Sequence, residues 1–166
     1  QGYEYLPSQA RIATLLMEQG RLYDASRYLA NERVKYPVHR DQLIIVEAQL
    51  LSTRGMEEAL FTLLDNSLEA APENIDLLYF RGMSGERFGS LDILERDFRR
   101  IIEIDPENSE AMNALGYTLA DKTDRYAEAQ VLIERALAIK PDEAAYIDSI
   151  GWVEYRLDNY EAAIKH

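Results

Sequence analysis

Four of the five prolines, Pro37, Pro72, Pro106 and Pro141, lie 35, 34 and 35 residues apart. Two glycine series keep the same step: Gly20, Gly55 and Gly89 are spaced by 35 and 34, and Gly82, Gly116 and Gly151 by 34 and 35. Three separate markers on one period describe a repeat protein, and an internal period of this length describes a solenoid. A unit so short cannot bury its hydrophobic face alone, so it stacks on its neighbours. The stack leaves an extended concave surface, a shape that suits binding rather than chemistry.

Between successive prolines the apolar residues follow a helical period twice, with a turn in the middle, which predicts a helix–turn–helix unit. In the first unit Ile12, Ala13 and Leu16 mark one helix, Gly20 the turn, and Ala25, Tyr28 and Leu29 the second helix. From Ser109 the same roles fall to Met112, Leu115, Gly116 and Leu119, then to Ala129, Ile133 and Ala136. Small residues at Ala13, Ala48, Gly82, Gly116 and Gly151 allow close approach of the paired helices, with Ala25, Ala59, Ala129 and Ala163 answering from the partner. A proline beyond each second helix cannot continue it. The tripeptides Pro72-Glu73-Asn74 and Pro106-Glu107-Asn108 then offer caps for the next helix.

With bulky, Leu-Gly, Ala, aromatic and Pro positions at these offsets, the chain resembles the tetratricopeptide repeat (TPR). The strongest stretches are NALGYTLADKTDRYAEAQVLIERALAIKP and IDSIGWVEYRLDNYEAAIKH. The resemblance implies an all-α fold, a right-handed superhelical solenoid of TPR helical hairpins. It implies one array over 1–166, with units at about 6–40, 41–74, 75–108 and 109–143 and a partial unit at 144–166. Glu47-Ala48 and Arg81-Gly82 depart from Leu-Gly, Leu94 and Ile101 replace small residues, the Met56 turn reads one residue short, and the fourth turn one residue long. A chain that starts at Gln1 and ends at His166 inside an amphipathic segment reads as a portion of a longer protein. Its last apolar face, Ile150, Trp152, Val153 and Tyr155, is expected to lie open and to favour end-to-end self-association.

Composition narrows the partner. The net charge is −12, so the basic stripe needed to neutralise phosphates is absent and nucleic acid is not an expected ligand. Such a surface serves to keep the protein soluble, or favours basic partner segments. There is no cysteine, which removes disulfides, thiolate chemistry and cysteine-held zinc. The longest obvious apolar run, Leu43-Ile44-Ile45-Val46, is far short of a membrane span. Arg outnumbers Lys 14 to 4, in line with a GC-rich bacterial genome.

Catalytic signals are weak. The two histidines, His39 and His166, lie in a loop and at the chain end, without the supported nucleophile that acyl transfer needs. Glu57-Glu58 and Asp142-Glu143 sit at predicted helix starts, where carboxylates interact favourably with the macrodipole. No metal-binding spacing appears, and no cofactor is expected. In RGMSGERFGS the repeat accounts for Gly82 and Gly89, whereas Gly85 marks either a soft spot or a close backbone approach. Arg96, Arg99 and Arg100 read as an outer stripe paired with neighbours such as Glu103.

In the TPR family the residue after the small position faces the groove; here these residues are Thr14, Gln49, Met83, Tyr117 and Trp152. With Tyr79 and Tyr155 one turn away, the implied protein-binding groove is Tyr79, Met83, Tyr117, Trp152 and Tyr155; the same aromatics would also serve as packing against neighbouring helices. The Lys and Asn residues of a carboxylate clamp are missing, Ala10, Thr14, Ile45 and Gln49 standing at those sites. The tandem NALGYTLAD…RYAEA…IKPDEAAYIDSIGWVEYRL is similar to central units of proteobacterial TPR outer-membrane lipoproteins. Some of these are adaptors of periplasmic carboxy-terminal-processing proteases. The resemblance thus implies a non-enzymatic adaptor on the periplasmic face of the outer membrane, with a cytoplasmic scaffold as the other setting. An alternative is the substrate-selecting arm of an enzyme whose catalytic domain lies elsewhere, and a third a purely structural assembly module.

Overall fold

A computed structural model describes residues 5–160, which form nine α-helices and one 3-10 turn with no strand. In order they are α1 (Tyr5–Glu18), α2 (Leu22–Lys35), the 3-10 turn Pro37–His39, α3 (Arg40–Thr53), α4 (Glu57–Ala70), α5 (Ile75–Arg87), α6 (Leu91–Ile104), α7 (Ser109–Lys122), α8 (Tyr126–Ile139) and α9 (Ala144–Arg156). The expected partner helix from about Tyr160, with Ala163, lies outside the described residues. Two compact units divide the chain, 1–80 and 81–166, the division falling inside α5.

Each proline of the lattice stands two residues past a helix end: Lys35, Ala70, Ile104 and Ile139 precede Pro37, Pro72, Pro106 and Pro141. The residue between is held away from helical ψ by the pyrrolidine ring, and Tyr36, Ala71, Asp105 and Lys140 all show it, with ψ of 75, 71, 90 and 80°. The predicted caps form: Asn74 Oδ1 accepts from the Leu77 amide at 3.0 Å, and Asn108 Oδ1 from the Ala111 amide at 3.0 Å.

Inside the hairpins every turn has three residues. Gly20, Gly55 and Gly89 take φ of 75, 67 and 79°, and Asp158 takes 62° in the last turn. The following amide then reaches back five residues: Arg21 to Leu16 O at 2.9 Å, Met56 to Leu51 O at 3.0 Å, Ser90 to Gly85 O at 2.7 Å and Asn159 to Glu154 O at 2.9 Å. This is the Schellman geometry, which satisfies carbonyls a helix end would leave open. The fourth turn differs. Thr123 stays extended at φ −140°, and its hydroxyl accepts from the Arg125 amide at 3.1 Å. The extra residue there, Lys122, is absorbed into α7.

The Met56 turn is therefore not short, contrary to the reading of the sequence, and this shifts one packing position. Ala59 is exposed and Leu60 is fully buried, because Leu60 is the fourth residue of α4 as Ala25 is of α2, Leu94 of α6 and Ala129 of α8. In α1 the core residues are Gln9, Ala13 and Met17, whereas Ile12, expected on the inner face, is 40% exposed.

In the 1–80 unit, α1 packs on α2 and α3, α2 on α3, and α3 on α4 around Leu29, Leu43, Ile44, Leu64 and Leu77. Glu47, at a position where the repeat pattern has leucine, is buried and ion-paired with Arg33 of α2. Burial, with Arg40 adding repulsion, lowers the Arg33 pKa to about 10. His39 stacks on Tyr5 with centroids 4.9 Å apart, a packing role.

In the 81–166 unit, α6 packs on α7, α7 on α8, and α9 on both α7 and α8. Ile150 and Val153, expected to lie open, are buried here because α9 turns them toward those helices; Tyr155 does stay 53% exposed. A Cβ on Gly116 would lie 2.7 Å from Ile133 Cγ1 and 3.0 Å from the Ala129 carbonyl, so α7 and α8 touch through bare backbone. Gly85 is also a close approach: a Cβ there would meet Ser90 O at 2.9 Å and Ile93 Cβ at 3.0 Å. Around Gly82 the nearest atom is Phe98 Cε2 at 3.4 Å, an ordinary contact.

Arg81, the second departure from Leu-Gly, is held by Asp97 in a two-point bond at 2.7 and 2.8 Å, with Arg96 adding 3.0 Å to the same carboxylate. Outside this pair, Glu95, Arg99, Arg125 and Glu128 form a ring that ties α6 to the start of α8. Arg125 reaches Glu95 at 2.8 and 2.9 Å and Glu128 at 2.7 Å, and Arg99 bonds Glu95 at 2.7 Å and pairs with Glu128. Arg125, followed by Arg99, holds the Glu95 carboxyl down to about 2. Arg100 pairs with Glu103 at 3.0 Å, one turn on.

Unfolding measurements on five variants test this packing. Gly116→Ala should destabilise by about 1–3 kcal/mol through overpacking, whereas Gly82→Ala should be neutral or gain up to about 1 kcal/mol in helix propensity. Glu47→Ala should cost about 3–5 kcal/mol by stranding Arg33, and the double change Arg33→Met, Glu47→Leu should recover most of it. The depressed Glu95 pKa gives stability that is complete above the ordinary carboxylate value and is lost as pH falls from there toward about 2; Glu95→Gln should flatten that part of an acid titration of stability.

Candidate functional site

The sequence places its candidate side chains on the first helix of each hairpin, and the 81–166 unit shows how that spacing works. Met83 follows Gly82 on α5, Tyr117 follows Gly116 on α7, and Trp152 follows Gly151 on α9. The small residue faces the partner helix, so its successor is rotated about 100° away, toward the opposite surface. Met83, Tyr117 and Tyr155 are 36, 39 and 53% exposed, while Trp152 is half-buried.

These four residues line two adjoining depressions. One, of about 660 Å³, is bounded by Tyr117, Ile147, Asp148, Trp152 and Tyr155. The other, of about 350 Å³, is bounded by Met83, Glu86, Asn113, Tyr117 and Asp148. Tyr117 and Asp148 belong to both. Trp152 and Tyr155 stack at 5.6 Å with their planes 23° apart. Arg156 lies over the Trp152 ring at 5.6 Å and the Tyr126 ring at 4.9 Å, and donates to the Tyr126 hydroxyl at 2.6 Å. The indole is thus braced from α8 and presents its remaining surface to the depression. The Trp152 Nε1 and Asn113 Oδ1 atoms are buried without a hydrogen-bond partner, a state that costs about 1–3 kcal/mol for each group left unsatisfied.

Tyr79 belongs to the 1–80 unit and is half-buried on α5. In that unit Thr14 returns its hydroxyl to Ala10 O at 2.8 Å and Gln49 is exposed. A hollow of about 930 Å³ follows the start of α4, along Gly55, Met56, Glu57, Ala59 and Phe61, all on a second helix or its turn. Among the described residues no three His, Cys, Asp or Glu side chains converge as a metal site, and no helix is long and apolar enough to cross a membrane.

The sequence reading named Met83, Tyr117, Trp152 and Tyr155 but missed Asn113, Asp148 and Glu86. Asn113 and Asp148 precede Tyr117 and Trp152 by four residues, the relation that links Tyr79 to Met83, and Glu86 follows Met83 by three. One helical turn applied to every unit, rather than to the aromatic ones alone, would have found them.

The tetratricopeptide repeat model matches residues 98–131. A TPR repeat-containing protein of Pseudomonas aeruginosa is 40% identical over 155 residues, 93% of this chain, and the chain spans 26% of that relative's length. Bacteriophage adsorption protein A of Escherichia coli is 38% identical over 66 residues, 40% of this chain and 7% of that protein. Among solved structures, a tetratricopeptide repeat protein from Parabacteroides merdae superposes with a TM-score of 0.77 at 16% identity, covering 96% of this chain and 63% of that one. MamA from Desulfovibrio magneticus gives 0.72 at 17% over 97% and 90%. YrrB, described as a TPR protein with an unusual peptide-binding site, gives 0.67 at 18% over 99% and 84%. The chain has the fold of the tetratricopeptide-repeat family and carries, at residues 98–131, a unit that the family's own sequence model recognises.

Proposed function

We propose that this chain is a non-enzymatic scaffold that binds a protein or peptide segment on the face formed by Met83, Tyr117, Trp152 and Tyr155. The observation that carries the reading is the pair of adjoining depressions that share Tyr117 and Asp148. Large aromatic and methionine side chains kept exposed on a rigid helical frame are what interface cores are made of. Both the fold and the peptide-binding description of YrrB agree with that use. Tyr79 extends the proposed set on α5, and the five hairpins are read as one array, as their common period suggests.

A narrower reading makes the chain part of an adaptor that presents substrates to a periplasmic protease. It is supported by the resemblance of the 113–157 stretch to bacterial TPR lipoproteins. The other reading, a repeat arm attached to an enzyme, draws on a Drosophila protein O-mannosyl-transferase, Tmtc2, 34% identical over 83 residues, of which this chain covers 9%. Co-purification of the full-length protein with a carboxy-terminal-processing protease supports the first; a transferase domain in the full reading frame supports the second.

The face itself is tested by selecting ligands from a peptide array and measuring affinity and unfolding together. Tyr117→Ala and Trp152→Ala should each weaken binding by about 2 kcal/mol, as buried aromatic anchors do, and Thr14→Ala should change it little. Stability lost with affinity unchanged would make these side chains core and remove the face from consideration.

A further inference from the structure

The charged side chains that line the two depressions are carboxylates. Glu86 and Asp148 contribute carboxylates to the lining, and neither depression is lined by a lysine or arginine. On α6 and at the start of α8, carboxylates are matched: Asp97 by Arg81 and Arg96, and Glu95 and Glu128 by Arg99 and Arg125. Asp148 is exposed and makes no hydrogen bond or ion pair among the described residues. Lys122, whose charge interacts with Glu86, is itself paired with Asp121 at 2.6 Å. Carboxylates set beside aromatic faces ask for a ligand rich in donors and positive charge.

Resting on the scaffold reading above, we propose that the segment bound here is basic, with a lysine or arginine whose aliphatic stem lies along Tyr117 and whose cation meets Asp148, with Glu86 beside it. The chain already shows the pairing in miniature, since the Arg156 guanidinium lies over Trp152 and Tyr126. Long basic side chains cover apolar surface with their stems while the head stays at a polar edge, and a depression with an aromatic wall and Asp148 at its boundary offers both. An acidic or carboxylate-terminated segment would meet like charge instead, at a cost in both affinity and encounter rate.

Three short peptides test this, identical in their leucine and phenylalanine positions and carrying lysine, glutamine or glutamate at the rest, with both ends blocked. The lysine peptide should bind the full chain about tenfold more tightly than the glutamine peptide, and the glutamate peptide more weakly still. Asp148→Asn should remove most of the lysine preference and leave glutamine-peptide affinity within about twofold. Glu69→Gln, which removes the same charge from an exposed site in the other unit, should leave the preference intact; if it removes as much as Asp148→Asn does, the attraction is that of net charge and the proposal fails. Equal binding of all three peptides, with all weakened by Tyr117→Ala, overturns the basic ligand and keeps the aromatic face. Absence of binding by every peptide overturns the proposal, while the array-selected ligands test the face separately.

Discussion

Closure of the helical hairpin is the constraint on which the rest of this structure depends. Two helices of about fourteen residues are joined by only three, so the first must end abruptly and the second must start close beside it. Left-handed backbone at Gly20, Gly55, Gly89 and Asp158 provides that ending, because a residue at positive φ lets two amides fold back on the last turn. Once the turn is set, the rotation of each helix is set too, and the residue that meets the partner helix follows by spacing. At Gly116 the approach is so close that a methyl group would clash with Ile133. The neighbour of that small residue is then turned outward, which is how Met83 and Tyr117 come to be exposed while Trp152 is half-buried beside them.

Two units depart from the usual apolar position, and both solve it with charge. Glu47 meets Arg33, and Arg81 meets Asp97, each pair buried between helices. A leucine would fill the same space at less desolvation cost, so the pairs add little to stability on their own. What they add is selectivity. A buried carboxylate accepts only the neighbour that brings its cation, so α2 is matched to α3 and α6 to the start of the 81–166 unit, while wrong pairings of similar hairpins strand a charge. In a chain of structurally similar hairpins, that discrimination has value that leucine cannot supply.

The arginines on the outer side of α6 serve the same end by weaker means. Arg99 and Arg125 share two carboxylates, Glu95 and Glu128, in a partly exposed ring. Single exposed pairs contribute little, but a closed network holds each member in place for the others. Acidic side chains on this side are thus neutralised locally. Asp148, on the first-helix side, is exposed and has no ion-pair partner among the described residues.

By itself the sequence determined the hairpin period, the asparagine caps and the helix exits, because each depends on residues a few positions apart. Pro37 acts on Tyr36 and Asn108 on Ala111, and no distant partner is needed. Tyr117 and Trp152 were legible for the same reason, one helical step from a small residue. Only the tertiary structure decided that Leu60 rather than Ala59 fills the second hairpin, that Glu47 and Arg81 are paired rather than misplaced, that Ile150 and Val153 are buried, and that Asp148 of α9 joins Tyr117 of α7 in one depression. Each of these turns on how a helix is rotated against one 14 or more residues away in sequence. A single residue's error in a turn rotates a helix by about 100°, and spacing alone does not register it.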